Sequence, residues 1–352
     1  MKAILLAGGQ GTRLRPLTLN TPKPVVPIFN RPFLTYQIDL IKQVPEIDEV
    51  VLSLNYQPEA IAAVFGDGST LGIRIRYVVE PEPLGTAGGI KFASRGLEGP
   101  IVVFNGDVLT SIDLGAVIRL HRERRARATI VLTPVDNPSA FGLVETDGRQ
   151  NIKRFLEKPT PEEITTNRIN AGIYVLEPET FDRIPDGVPW SIERKYFPSL
   201  IERGETFLAY DYTGYWIDIG TPQKYIQVHH DILSGRFPAA PFRDQPAPRA
   251  CVSTTARIDS GATIESPCFV DDDAVVEAGA RIAPLSVVGR GARVESGAVV
   301  DGAIIWPGSV VGGGSTVNGS IVGRDCRLGA STIVEGGAVL GDRTTLTDFT
   351  RV

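Results

Sequence analysis

From Ala256 onward the chain repeats every six residues. ARIDSG, ATIESP, CFVDDD, AVVEAG, ARIAPL, SVVGRG, ARVESG and AVVDGA follow one another without a gap. Ile258, Ile264, Val270, Val276, Ile282, Val288, Val294 and Val300 stand third, and the first residue is always Ala, Cys or Ser. One aliphatic and one small residue in every six suit a triangular coil in which each face is a short strand and each corner a turn, so that stacked turns bury what no single turn could. Residues 251–352 are therefore expected to form a left-handed parallel β-helix. After Val300 the period slips, with aliphatics at Ile305, Val311, Val317, Val322, Leu328, Ile333 and Leu340, which predicts altered corners rather than a new fold. Cys268 occupies a small-residue slot and reads as packing.

The first part of the chain follows a different rule. Short β-branched runs ("AILLA", "EVVLSL", "IRIRYVV", "IVVFNGD", "ATIVLTPV") alternate with amphipathic stretches ("PFLTYQIDLIKQV", "AGGIKFAS", "DLGAVIRLHRERR"). Strands separated by helical patterns imply βαβ units and a Rossmann-like mixed, mostly parallel sheet, in an α/β domain over residues 1–236. In such sheets ligands gather at the carboxyl ends of the strands. A proline-rich stretch without periodicity, within "GRFPAAPFRDQPAPRA", reads as a linker over residues 237–250.

The net charge of −5 disfavours nucleic acid as a partner of the whole chain and leaves room for a local basic pocket. "MKAILLAGG" is too short for a signal peptide, and no run reaches the length of a membrane span, so the reading is of a protein of the cytoplasm with no membrane partner. Cys251, Cys268 and Cys326 lack CxxC spacing and lie far from the histidines, so neither a disulfide framework nor a zinc site is indicated. His229 and His230 are adjacent, point different ways on a helix, and read as structural. The hexads alone also suit an acyltransferase, but such an enzyme would need a catalytic histidine and none follows His230. The coil therefore reads as a structural and assembly module, pointing to a homo-oligomer.

Chemistry concentrates in "LLAGGQGTRLRPLT", residues 5–18. Gly8, Gly9 and Gly11 let backbone N–H groups approach an anion, and Arg13 adds a fixed positive charge. The stretch is not a Walker A loop, and Leu14 stands where a G-x-G-x-x-G fingerprint needs its third glycine. In "TPKPVVPI", Lys23 lies between Pro22 and Pro24 on a chain too stiff for a helix, and reads as a second charge on the same polyphosphate.

With these motifs stand "EPEPLGTAGGI", "FNGDVL", "FGLVETD", "FLEKP", "INAGIYVL", "SIERKYFP" and "YWIDIG". In this order they resemble the sugar-1-phosphate nucleotidyltransferases, or nucleotide-sugar pyrophosphorylases. "PLGTAGG", "SIERKYFP" and "GYWIDIGTP" look most like the mannose-1-phosphate guanylyltransferase branch. The resemblance implies attack by a sugar-1-phosphate oxygen on the α-phosphorus of a nucleoside triphosphate, with release of pyrophosphate. Such a reaction needs charge neutralisation and alignment of two mutually repelling anions more than it needs acid–base groups.

Carried over by the resemblance, Arg13, Lys23, Asp107 and Asp218 are the catalytic residues, with Asp107 and Asp218 as ligands of Mg²⁺. Leu6, Ala7, Gly8, Gly9, Gly11, Thr12, Glu80, Gly85 and Thr86 would bind the nucleotide. Gly142, Glu157, Lys158, Asn170 and Gly172 would bind the sugar phosphate. A carboxylate at Glu80 matches the N1–H and N2–H donors of guanine and favours GTP. Three readings stay open: a GDP-mannose-forming enzyme using GTP and mannose-1-phosphate; the same chemistry on glucose-1-phosphate or another sugar with UTP, dTTP or ATP; and a non-catalytic regulatory subunit that binds a nucleotide sugar.

Overall fold

A computed structural model describes residues 1–242 and 249–352. Residues 243–248 of the expected linker lie outside the described residues. Contacts divide the chain into two units, the first made of Met1–Gly9 with Leu34–Trp216 and the second of Gln10–Phe33 with Ile217–Val352.

The first unit is built on a nine-stranded sheet. Its strands are β1 (Lys2–Leu6), β2 (Glu49–Leu54), β3 (Arg74–Val79), β4 (Ile101–Asn105), β5 (Ala128–Pro134), β6 (Gly142–Thr146), β7 (Ile152–Glu157), β8 (Arg168–Leu176) and β9 (Phe207–Asp211). The order is β7-β6-β8-β4-β1-β2-β3, with β5 paired to β8 and β9. β1 runs parallel to β2 and β4, and β2 parallel to β3. β8 runs antiparallel to β4 and makes the sheet mixed.

The helices are α1 (Phe33–Ile41), α2 (Pro58–Phe65), α3 (Gly85–Ala93), α4 (Leu114–Glu123) and α5 (Phe197–Glu202). Every residue of β2 is buried, so both faces of the sheet are covered there, as its aliphatic run Val50–Leu52 requires. On one face Ala87, Ile90 and Ala93 of α3 join Ile4, Val51 and Val103, and Phe197 of α5 joins Phe155, Tyr174 and Phe207 in the same core.

In the second unit the hexads form three parallel ladders of six, six and five strands, the architecture of the left-handed β-helix expected from the repeat. The inward column of Val270, Val276, Ile282, Val288, Val294 and Val300 is buried, as are the small residues Ala274, Ala280, Ala292 and Ala298. At three small slots that hold serine, the hydroxyl bonds a backbone carbonyl fourteen residues on: Ser286 Oγ donates to Val300 O (3.0 Å), Ser309 Oγ to Gly323 O (2.6 Å) and Ser315 Oγ to Gly329 O (2.9 Å), whereas Ser320 Oγ donates back to Asn318 O (2.8 Å). Cys268 is buried, and burial pushes its thiol up to about 12, so it packs without reacting.

The period slips at two corners. Phe269 pairs with Val287 eighteen residues on, but Val287 pairs with Ile304, seventeen on. The shortened corners carry Gly302 (φ 55°) and Gly319 (φ 54°), where the left-handed backbone turns the chain with one residue fewer. One expectation is corrected. Ile333 is only half-buried, and the inward aliphatic there is Val334, because the six-residue step from Leu328 is intact.

The segment Gln10–Phe33 belongs to this second unit. Lys23–Val25, expected to be too stiff for a helix, forms a single 3-10 turn, since Pro24 near its start removes only an N–H that a first turn leaves unbonded anyway. The helix α6 (Pro222–Leu233) is also here, capped by Thr221, whose Oγ1 accepts from Lys224 N.

The burial column sets the expected stability pattern. Val294→Ala should cost about 1–3 kcal/mol in denaturant unfolding, because it opens a cavity in a closed column. Arg293→Ala, which removes only an exposed pair with Glu277, should cost under about 1 kcal/mol. A larger loss at Arg293 than at Val294 would contradict the inward-aliphatic rule.

Candidate active site

The expected site residues divide with the units. In the first unit, β1 and β4 end side by side. Gly106 N donates to Leu6 O (3.0 Å), and a Cβ at Gly106 would fall 2.2 Å from that oxygen, so only glycine lets the chain after β4 cross the end of β1. Ala7 N donates to Ser53 O (2.9 Å) at the end of β2. A Cβ at Gly8 would meet Asn55, whereas one at Gly9 would meet nothing within 4 Å, so Gly9 is free of packing demands. Asp107 follows Gly106 directly, at the carboxyl end of the parallel strands.

Glu80, just after β3, is a brace as well as an acceptor. Its Oε1 accepts from Ser53 Oγ (3.1 Å) and its Oε2 from Leu84 N (2.9 Å), tying the end of β2 to the start of α3. Gly89 leaves room for it, since a Cβ there would lie 2.6 Å from Oε1. Gly85 starts α3 against the backbone of Trp190, whose carbonyl accepts from Ala87 N (2.9 Å) and Gly88 N (3.3 Å), satisfying donors of the first turn. Thr86 Oγ1 accepts from Ile192 N (2.8 Å) and donates to Glu193 Oε2 (3.1 Å).

Of the residues expected on the sugar side, Asn170 and Gly172 lie at a break in β8. Asn170 Oδ1 accepts from Gly172 N (2.9 Å) and Asn170 Nδ2 donates to the buried Tyr174 hydroxyl (3.0 Å), where the pairing with β5 loses its register. Gly172 has φ 75°, and a Cβ on it would sit 2.8 Å from Asn105 Nδ2. Ala171 O, within the break, accepts from the indole N–H of Trp216 (2.9 Å), the residue of "YWIDIG" that leads into Asp218. Asn170 is thus occupied in shaping the bulge.

Glu157 ends β7 opposite Gly142 of β6, and a Cβ at Gly142 would lie 3.2 Å from Glu157 Oε2 and 2.6 Å from the Phe155 ring. Burial, and after it the neighbouring Glu193 carboxylate, hold the Glu157 carboxyl above the usual range; Lys158 and Arg194 pull the other way. Lys158 has φ 55°, a left-handed conformation that is uncommon outside glycine, with its N–H on Phe141 O (2.9 Å).

Several polar groups here were not singled out from the sequence. Glu193 takes bonds from Thr86 and from Ser191 Oγ (2.8 Å) within a π-helical turn, Ile192–Tyr196. Lys195 Nζ lies 4.0 Å over the Trp190 ring. The buried atoms Asn105 Oδ1 and Trp190 Nε1 have no hydrogen-bond partner among the protein atoms.

In the second unit, Gly11 takes the left-handed form that starts the 3-10 turn Thr12–Leu14. Gly11 O accepts from Thr18 Oγ1 (2.7 Å) and Leu14 N (2.9 Å). A Cβ at Gly11 would lie 3.2 Å from Lys23 Cβ, so the stem of Lys23 runs beside the glycine turn. Thr12 and Arg13 are exposed, and a Cβ at Gly220 would lie 2.8 Å from an Arg13 guanidinium nitrogen. The structure thus brings Arg13 over the turn that follows Asp218. The mostly buried Asp218 side chain accepts a hydrogen bond from Lys224 Nζ in an ion pair.

Among the described residues no cluster of three or more His, Cys, Asp or Glu forms a metal cage. The available carboxylates are hard oxygen donors, few in number, and fit a Mg²⁺ that completes its shell with phosphate oxygens and water.

The nucleotidyl transferase family matches residues 2–235, and the GMPPB C-terminal domain matches residues 264–352. The chain is similar to mannose-1-phosphate guanylyltransferase of Mycobacterium tuberculosis, 40% identical over 306 residues that cover 86% of this chain and 79% of that protein. It is 37% identical to mannose-1-phosphate guanylyltransferase 1 of Arabidopsis thaliana over 354 residues, 97% of this chain and 96% of that one. Among solved structures it is similar to HddC from Yersinia pseudotuberculosis complexed with GMP-PN, at 28% identity and a TM-score of 0.55, over 64% of this chain and 96% of that chain. With a match from the first strand to the end of α6, the chain belongs to the nucleotidyl transferase family.

Proposed function

We propose that this protein transfers a guanylyl group from GTP to mannose-1-phosphate, giving GDP-mannose and pyrophosphate. One observation carries the reading: relatives named for that reaction match the chain at 37–40% identity, and the likeness to the plant enzyme runs through both the sheet and the hexad coil. An oxygen of the sugar phosphate attacks the α-phosphorus, the bond from that phosphorus to the bridging oxygen breaks, and pyrophosphate leaves with the electron pair. Arg13 and Lys23 hold the triphosphate and neutralise the charge that grows on the leaving group. Asp107 and Asp218 would hold Mg²⁺, which when bound supplies further charge neutralisation; Lys224 must then share or give up Asp218.

On the sugar side, Glu157 accepts from sugar hydroxyls, Lys158 pairs with the sugar phosphate, and Gly142 and Gly172 give backbone access beside it. Asn170 acts through the Gly172 bulge. Leu6, Ala7, Gly8, Gly9, Gly11 and Thr12 line the phosphate turn, and Gly85 and Thr86 present the start of α3 to the base. Glu80 retains lone pairs for the N1–H and N2–H edge of guanine beyond its two internal bonds. The same reading takes residues 1–236 as catalytic, 237–250 as the linker and 251–352 as a coil that assembles copies of a cytoplasmic homo-oligomer. No described helix is long and apolar enough to cross a membrane.

Pyrophosphate release with Mg²⁺, measured for each common nucleoside triphosphate against mannose-1-phosphate, glucose-1-phosphate and N-acetylglucosamine-1-phosphate, should favour GTP with mannose-1-phosphate. Preference for another pair would transfer the mechanism to that sugar or base, and silence across the grid would favour a regulatory subunit. Arg13→Ala and Asp107→Asn should each lower kcat/KM by at least about a hundredfold with an unchanged circular dichroism spectrum. A variant near the wild-type rate would remove that residue from the mechanism.

Glu157→Gln should separate function from stability. The carboxyl titrates higher in the folded chain than in the unfolded one, so its ionised form opposes folding, and the cost grows as pH rises from the ordinary glutamate range through the folded value. The variant should therefore have a higher Tm than wild type at pH 7, lose that advantage toward pH 4, and bind sugar phosphate more weakly. An equal or lower Tm at pH 7 would show that Glu157 is not strained by burial and Glu193.

A further inference from the structure

The coil does more than stack. Trp306, at a corner of the β-helix, is almost fully buried although it lies outside the inward aliphatic column. Its indole N–H donates to the Tyr225 hydroxyl of α6 (3.0 Å), and that hydroxyl donates to Pro27 O in the segment that begins with Lys23. One helical turn later, His229 Nδ1 bonds Tyr225 O (2.8 Å), which fixes the tautomer and leaves Nε2 to accept from Phe29 N (3.2 Å). Burial pushes this imidazole down to about 3, so it remains a neutral acceptor. The Phe29 ring meets His229 at 5.0 Å and Phe269 of the coil at 5.1 Å, edge to face.

Two further points bind the same segment to the coil. Asn30 Nδ2 donates to Asp271 Oδ1 (3.4 Å), and Pro16 lies against Gly341, where a Cβ would be 3.1 Å from the proline Cβ. Phe269 and Asp271 come from one turn of the coil, Trp306 from the second turn after it and Gly341 from the second after that, so a rigid rod holds a short chain at separate places along its length.

We propose that the β-helix positions the phosphate-binding segment, with Trp306 and Tyr225 acting as positioning residues for Lys23 and Arg13 through the Pro27 carbonyl. The roles of Lys23 and Arg13 rest on the reading above; the mechanical link rests on contacts within one unit. A loop that must meet a triphosphate with two cations loses affinity if it has to be ordered at each binding event, and a preformed anchor removes that cost. The effect should be confined to the nucleotide, since the sugar-side residues Glu157, Lys158 and Gly172 belong to the other unit.

The test uses the full-length enzyme and three substitutions. Tyr225→Phe removes the hydroxyl and keeps the ring; Trp306→Phe removes its donor; Val334→Ala weakens the coil at a buried site away from the anchors. Tyr225→Phe and Trp306→Phe should each raise KM for the triphosphate about three- to tenfold, leave KM for the sugar phosphate unchanged, and combine without adding. Hydrogen exchange at Val25, Val26 and Phe29, whose amides are bonded to Pro22 O, Lys23 O and His229 Nε2, should quicken in both and not in Val334→Ala. Unaltered triphosphate KM and exchange, or equal shifts for both substrates matching those of Val334→Ala, would overturn the proposal. If the wild-type chain turns over no substrate pair, the proposed reaction fails and exchange decides alone: quickened amides in the two anchor variants support the link, and unchanged amides overturn it.

Discussion

The architecture of the site depends on one close approach, Gly106 lying against the carbonyl of Leu6. Parallel strands β1 and β4 would otherwise end at their ordinary spacing with side chains between them. Because residue 106 has no side chain, the chain after β4 turns across the end of β1, and Asp107 leaves the sheet near the start of the Gly8–Gly9 turn. A backbone that presents N–H groups and a carboxylate within the same few residues brings both signs of charge to one place. On the proposed function, this is what bringing two anions together requires: donors for the phosphates, and an acidic group to hold a cation between them.

A similar economy governs the break in β8, at a cost in stability. β8 breaks its pairing at Asn170 and Gly172, and the polar groups released by the break are taken up locally, by the Asn170 amide, the Tyr174 hydroxyl and the Trp216 indole. Elsewhere in the same unit two carboxylates, Glu157 and Glu193, lie near enough that the second helps raise the first. Two partly buried acids side by side oppose folding, and on the proposed function they make sense where sugar hydroxyl donors arrive beside Lys158.

How much of this was legible depended on the range of the rule involved. The inward column of the coil follows from the residue three places into each hexad, a local rule, so Val270 to Val300 could be read directly. The slips were visible but misplaced by one residue at Ile333. Both short corners carry a glycine after an acid or amide, Asp301–Gly302 and Asn318–Gly319, whereas no such pair follows Leu328, and that signal would have kept Val334 inward. Asp107, Arg13, Lys23 and Glu157 were assigned through motif resemblance, since their spacing alone does not distinguish them from surface charges. Glu193 was missed because its placement depends on Thr86, 107 residues earlier in the chain, and nothing in "SIERKYFP" announces that bond.

The proposed anchoring of the Lys23 segment gives a reason for hexads and glycine loop to occur in one chain. A phosphate-binding loop cannot be held firmly by ion pairs to its own cations without blunting them for the ligand. The anchors that reach residues 27 and 29 are instead a carbonyl, a phenol hydroxyl, an indole N–H, stacked rings and an imidazole kept neutral by burial. Such contacts are short-ranged and nearly indifferent to salt and pH, while the field of Arg13 and Lys23 is not consumed in making them. A coil of parallel ladders suits this duty, because its corners are fixed by backbone bonds to the turns on either side, and a ring set on a corner inherits that rigidity.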